Sequence, residues 1–359
     1  MSWRGRSLAL LALALWLMAP LSSRTFVIRI QYIAYGSGVV DSSVYSKHMI
    51  LVPTLEGVQE RVTAELYVNG VPASYSVMVD PEGNEYADPG PLSFSGSLNL
   101  TLVQKVRTLS PPFRAKFELP AGASWEEARG RLPRNSFWRC NSSRVKFEDV
   151  ERISWELRSR AETPAHYLLS VIQWILERFK YSESTVGGVR CPSSFLENLT
   201  GPCGDVHAFA AALLKIQGLD AALVYAYIVD PSASQELSSQ GLRYSLVGAH
   251  PHIFSVVNFS SGIVPVDLTA SAGESARDKI SGSSLNVLDN IIVLFRIRES
   301  NPNDYLIVYG VEGATQVWLR IDVSELQDSS LTRAVLLASG ALALLLLVRL
   351  SPSTSRVEK

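Results

Sequence analysis

From residue 25 to about 118 the chain alternates apolar and polar positions. The runs are TFVIRIQYIAY, HMILVPTL, RVTAELYV, SYSVMV and LNLTLVQKV. A period of two marks strands with one buried face. Turn signals separate the runs: Gly36-Ser37-Gly38, Asn69-Gly70, the DPEGN turn from Asp80 to Asn84, and Asp88-Pro89-Gly90. Short strands at this spacing predict a β-sandwich over residues 25–118. Pro111-Pro112 and Pro120-Ala121-Gly122 then read as a linker, with a lead-in over 119–160.

The period changes after that. Thr163 is a good N-cap and Pro164 suits the first helical position. Leu168, Leu169, Ile172, Ile175, Leu176 and Phe179 recur at helical spacing. A second helix is predicted within GPCGDVHAFAAALLKIQG, residues 201–218, stopped by Gly218. Strand patterns follow: AALVYAYIV, HIFSVVNF, GIVPVDLT, NIIVLFRIR, YLIVYGV and TQVWLRIDV. The order predicts an α+β domain over 161–325, two helices and then an antiparallel sheet.

The ends of the chain differ from its middle. Residues 1–24 carry Arg4, Arg6 and Arg24 without an acid, and Leu8–Leu21 is an uncharged run of 14 residues. This reads as a signal peptide or signal anchor. Pro20 and Leu21 break the small-residue pattern of a cleavage site, which favours an anchor. Ala334–Val348 is a second uncharged run, and residues 331–350 suffice for a transmembrane helix followed by a cytoplasmic tail at 351–359. The net charge of −1 thus hides basic ends around a body of net −7. Positive ends place both termini in the cytoplasm and the body outside the membrane. The triplets at Asn99, Asn141, Asn198 and Asn258 fit an exterior location. With 33 basic and 34 acidic residues, the chain is no electrostatic nucleic-acid binder.

Three cysteines cannot make a disulfide scaffold or a four-thiolate zinc cage. Cys203 stands at the predicted helix start, where the helix dipole stabilises a thiolate. His252 and Asp267 lie 15 residues apart with Ser260, Ser261 and Gly262 between, spacing that suits a hairpin. A thiol, an imidazole and a carboxylate make a nucleophile, a base and an orienting group. The backbone amides of Cys203 and Gly204 are candidates for part of an oxyanion hole. His250 rivals His252 from the same strand face, and His207 lies four residues after Cys203. Cys203, His207, His250 and His252 also form a candidate zinc set, although the spacing matches no standard structural site. Outside the cell Cys140 and Cys191 could pair, leaving Cys203 free.

The segments GPCGDVHAFAAALLKIQGLDAALVYAYIV, HIFSVVNF and GIVPVDLT resemble the core of the transglutaminase-like superfamily, with TPAHYLLSVIQWILERFKY as its leading helix. The resemblance spans about residues 160–270. It implies a papain-like triad of Cys203, His252 and Asp267, and it selects His252 over His250. The N-terminal strands are similar to the β-domain that precedes this core in membrane-anchored microbial members. Phe254 and Ala222 stand where the family usually has Trp and a basic residue, and Asp267-Leu268-Thr269 replaces Asp-Pro-Thr. The implied activity is thioester acyl transfer on a protein or peptide substrate, with peptide or amide hydrolysis favoured. Crosslinking and an inert cell-surface scaffold are the alternatives. No cofactor is expected.

Overall fold

The structure, a computed structural model, describes residues 23–326 apart from 112–116, 121, 129, 184–187 and 309. The predicted anchor lies outside these residues except for Ser23 and Arg24, and the predicted span at 331–350 lies outside them entirely. Among the described residues no helix is long and apolar enough to cross a membrane. The residues up to Ser324 belong to one compact unit; a second, Glu325–Lys359, is described only at its first two residues.

Along the chain come β1 (Ser23–Val40), α1 (Ser42–His48), β2 (Gln59–Val68), β3 (Val71–Ala73), β4 (Ser76–Val79), β5 (Glu85–Asp88) and β6 (Leu92–Leu109). Next are α2 (Phe147–Arg158), α3 (Pro164–Leu176), β7 (Lys180–Tyr181), α4 (Pro192–Leu196), β8 (Thr200–Gly201) and α5 (Cys203–Ile216). The remainder is β9 (Asp220–Ser239), β10 (Leu242–Phe259), β11 (Gly262–Val266), α6 (Asp278–Ser281), α7 (Ser284–Val287), β12 (Ile291–Ile297), α8 (Asn303–Leu306) and β13 (Ala314–Glu325).

The predicted separate sandwich is not what forms. A single sheet runs β12-β9-β10-β13-β1-β6-β2-β3, with β11 paired to β10. β1 pairs with β6 from Ser23 opposite Leu109 to Val40 opposite Leu92, and β13 holds its other edge. Gly36 of β1 and Gly313, the residue before β13, allow the two segments to meet closely. Both have positive φ, and a Cβ on either would fall 2.5 Å or less from a backbone oxygen of the other segment. One continuous apolar core therefore joins Phe26 and Leu100 of the N-terminal strands to Leu246, Val317 and the α5 residues. Alternation reports that one face is buried, but not which strand lies alongside.

Two further expectations need correction. The lead-in is not all linker: residues 147–158 form α2, with Val150 and Leu157 buried and Ser154 donating to the Leu213 carbonyl of α5 at 3.1 Å. Of YLIVYGV, Tyr305 and Leu306 close α8 rather than open a strand, and Asn303 at the start of that helix bonds both the N–H and the carbonyl of Val189, at 2.7 and 3.0 Å.

The first helix with clear sequence caps forms as read: Thr163 accepts from the His166 N–H at 3.2 Å and Pro164 opens α3. α5 is buried from Gly204 to Lys215, as a helix apolar on all sides must be. Burying a side chain such as Phe209 or Leu213 stabilises the fold by about 2–3 kcal/mol each. Lys215, the charge within this run, donates to the Arg298 carbonyl at 2.7 Å, and burial pushes its ammonium down to about 8.

Candidate active site

Cys203 is the first residue of α5, with Pro202 as N-cap. Its carbonyl already belongs to the helix, while its N–H and that of Gly204 are first-turn donors without intrahelical acceptors. Gly201 and Gly204 are needed here for space. A Cβ on Gly201 would lie 2.6 Å from Arg190 and Asp205 side-chain atoms, and one on Gly204 would lie 2.7 Å from Val189. The approach to α5 is braced by Asp205, 2% exposed, which accepts from the Arg190 backbone N–H and Nε at 2.7 Å each. Arg190 also donates to the Thr200 carbonyl. Cys140 and Cys191 form a disulfide and Cys203 is free and half-buried.

His252 sits on β10 just beyond an irregularity between Val247 and Ala249. Residues 242–247 pair with β13 and 255–259 with β11. Between these spans β10 has β9 on one side and, among the described residues, no strand on the other. Pro251 lacks an N–H and is tolerated in such a gap. Asp267 follows β11 directly, so the hairpin brings it to His252: Nε2 lies 3.0 Å from Oδ2. Cys203 lies close enough to the imidazole to act on its charge. With Nε2 engaged by Asp267, Nδ1 is the nitrogen left for the thiol. Phe254 stacks on the imidazole, centroids 5.9 Å apart.

The electrostatics follow from burial. Asp267 is fully buried, which by itself favours the neutral acid. The bond and charge of His252 outweigh this and hold the carboxyl well below the usual carboxylate range. Its oxygens also accept from the N–H groups of Thr269, Ala270 and Ser284 at 3.2, 2.9 and 3.2 Å. Burial likewise opposes a charged His252, but the bond and charge of Asp267, aided by the nearby Cys203, prevail and push the imidazole up to about 9. The arrangement favours a protonated imidazole beside Asp267.

The sequence-predicted residues separate cleanly. Cys203, His252 and Asp267 come together. His250 does not: it lies at the surface, with Nε2 3.1 Å from Asp230. His207 is fully buried and has both nitrogens occupied, Nδ1 2.7 Å from the Cys203 carbonyl and Nε2 accepting from the Leu268 N–H at 2.9 Å. The second bond fixes the tautomer, with Nδ1–H donating. Burial, aided by the charge on His252, pushes His207 down to about 4, so it stays neutral. The candidate zinc set is therefore not assembled, because His250 lies away from the other three; among the described residues no group of three His, Cys, Asp or Glu side chains is arranged to hold a metal ion. Arg190 and the backbone of Ser284 were not singled out in the sequence. An acid in the first turn of the cysteine helix was the available signal for Asp205.

This geometry has a counterpart in sequence families. Residues 151–268 match the transglutaminase-like superfamily. The transglutaminase-like segment therefore contains Cys203, His252 and Asp267, and it begins inside α2. No curated protein gives a significant match. Among solved structures, one from Cytophaga hutchinsonii described as a candidate cysteine protease aligns at 10% identity and a TM-score of 0.48, covering 86% of this chain and 92% of its own. The periplasmic domain of TgpA from Pseudomonas aeruginosa aligns at 12% identity and 0.30, covering 69% and 88%. A candidate protease from Parabacteroides distasonis aligns at 9% and 0.26, covering 73% and 65%.

Proposed function

We propose that the protein is a membrane-tethered, extracytoplasmic cysteine hydrolase that cleaves amide bonds in a protein or peptide through a thioester on Cys203. The observation that carries this reading is the convergence of a free thiol at a helix start with His252, whose Nε2 lies 3.0 Å from the fully buried carboxylate of Asp267. The Cys203 thiolate attacks the carbonyl carbon, and a sulfur–carbon bond forms as the carbon–nitrogen bond breaks. His252 gives its proton to the departing amine. Water then attacks the thioester, His252 takes the water's proton, the acid leaves, and the thiolate is restored. The amides of Cys203 and Gly204 face the developing oxyanion. The exterior location is supported by the charge segregation, the two apolar runs near the ends, and a Cys140–Cys191 disulfide that suits an oxidising compartment.

The test is covalent labelling of the full-length protein, purified in mild detergent, with a peptidyl acyloxymethyl ketone. Wild type is expected to label at Cys203, and Cys203→Ala to lose the label while keeping its circular dichroism spectrum. Equal labelling of the variant overturns the proposal.

A further inference from the structure

The cleft beside Cys203 has a composition of its own. It is a cavity of about 560 Å³ that reaches from Cys203 and Gly204 along the outer half of the β9–β10 hairpin, within the size range of ligand sites. Next to the thiol its wall is apolar. Ile253 packs close to Gly204, Tyr225 stands opposite Ile253 in the β9–β10 register, and Leu242, Tyr244 and Leu306 continue the surface. The tyrosines add no charge to it: Tyr225 packs edge-on against Tyr227, centroids 5.6 Å apart, and burial keeps both phenols neutral. The open end is different: Ser238 and Ser239 are exposed, beside the half-buried Gln235.

Formal charge is nearly absent from the wall. Arg243 is its one charged residue among the described residues, and that charge is engaged elsewhere. The guanidinium lies 4.8 Å over the Trp318 ring and 3.2 Å from the Glu236 carboxylate. Leu306 and Ile307 also line the cleft. They lie outside the segment that matches the superfamily, so this wall comes from residues C-terminal to it. Asn303 clamps that stretch to Val189, on the loop that leads to Cys203.

We infer that this cleft is the acyl-side subsite, and that the residue whose carbonyl Cys203 attacks carries an apolar side chain, aliphatic or aromatic. A carboxylate, an ammonium or a glutamine amide placed there would lose its water without a matching partner, which is costly. An apolar side chain gains by the area it removes from water. The inference rests on the hydrolase reading above and narrows its substrate class to peptides cleaved after apolar residues.

The experiment uses acyloxymethyl ketone probes that differ only in the side chain next to the ketone: Phe, Leu, Gln, Glu or Lys. On the full-length protein, the Phe and Leu probes are expected to label Cys203 roughly tenfold or more faster than the other three. Ile307 lines the cleft and is 38% exposed, so a variant there leaves the buried core intact. Ile307→Glu is expected to slow the Phe probe and speed the Lys probe. Equal rates for all five probes, or faster labelling by Gln or Glu, overturn the subsite and leave the hydrolase reading standing. If no probe labels Cys203 in the wild type, the hydrolase reading falls and the subsite with it.

Discussion

Asp267 accepts four hydrogen bonds inside the protein, one from the His252 ring and three from backbone N–H groups. Its charge therefore needs no water, and it is available to hold the imidazole protonated. This sets a pH dependence. The folded pKa of His252, about 9, lies above its ordinary 6.5. The proton given to the leaving amine is present below that value and lost as pH rises through it. Amide turnover is expected to fall as pH rises through about 9, while simple alkylation of Cys203 does not. Asp267→Asn keeps the shape and removes the charge. It is expected to move the falling limb to lower pH and to cut kcat by of order 10²-fold. A pH–rate profile unchanged in the variant would contradict this role for the carboxylate. His207 acts differently. Its two bonds tie the first turn of α5 to the backbone just after Asp267, which makes it a positioning residue for both ends of the triad.

At the scale of elements, the site depends on where β10 bends. Gly248 has φ +82° and lies so near β13 that a Cβ would fall 1.9 Å from the Val323 carbonyl oxygen. The irregularity at this point lets β10 part from β13, and the gap that opens holds His252. Gly248→Ala meets both a backbone clash and an unfavourable φ. It is expected to destabilise by about 2–4 kcal/mol, read as a lower denaturant midpoint. Thiol labelling should fall even below the midpoint, where the chain is still folded. An unchanged midpoint would show that the strands separate freely. The DPEGN turn braces the end of β12. Glu82 accepts from the N–H groups of Arg298 and Glu299, at 2.6 and 2.9 Å, and from that of Ser300. Asn84 pairs with the backbone of Arg296, accepting its N–H and donating to its carbonyl at 2.9 Å each. Read in sequence, this turn is only a hairpin connection. In the fold it fastens the β4–β5 ribbon to the segment before α8.

For the whole molecule, buried histidines set the response to acid. Burial pushes His48 and His207 down to about 4 from an ordinary 6.5. Between those values the unfolded chain takes up protons that the folded chain refuses, so stability falls as pH drops. Each costs about 1.4 kcal/mol per pH unit in that window. His252 has the opposite sign. Its raised pKa contributes stability that is complete below 6.5 and lost as pH rises towards about 9. Stability is therefore expected to peak near pH 6.5, with a steeper fall on the acid side. A melting temperature that stays level from pH 6.5 to 4.5 would show that these histidines are not buried neutral.

The sequence by itself determined the local elements and which three side chains the fold brings together. Thr163-Pro164, the Ala- and Leu-rich stretch after Cys203 and the stop at Gly218 specify two helices through caps and propensities that act within a few residues. Cys203, His252 and Asp267 were legible because a helix start and a hairpin are short-range geometries. Tertiary structure decided what depends on contacts between distant segments. It placed β1 beside β13, made one sheet where alternation suggested a separate sandwich, and turned Tyr305-Leu306 into a helix held by Asn303. It chose His252 over His250 by burial, and it gave His207 two backbone partners in place of a metal. Periodicity fixes which face of a strand is buried; only the packed chain fixes what that face meets.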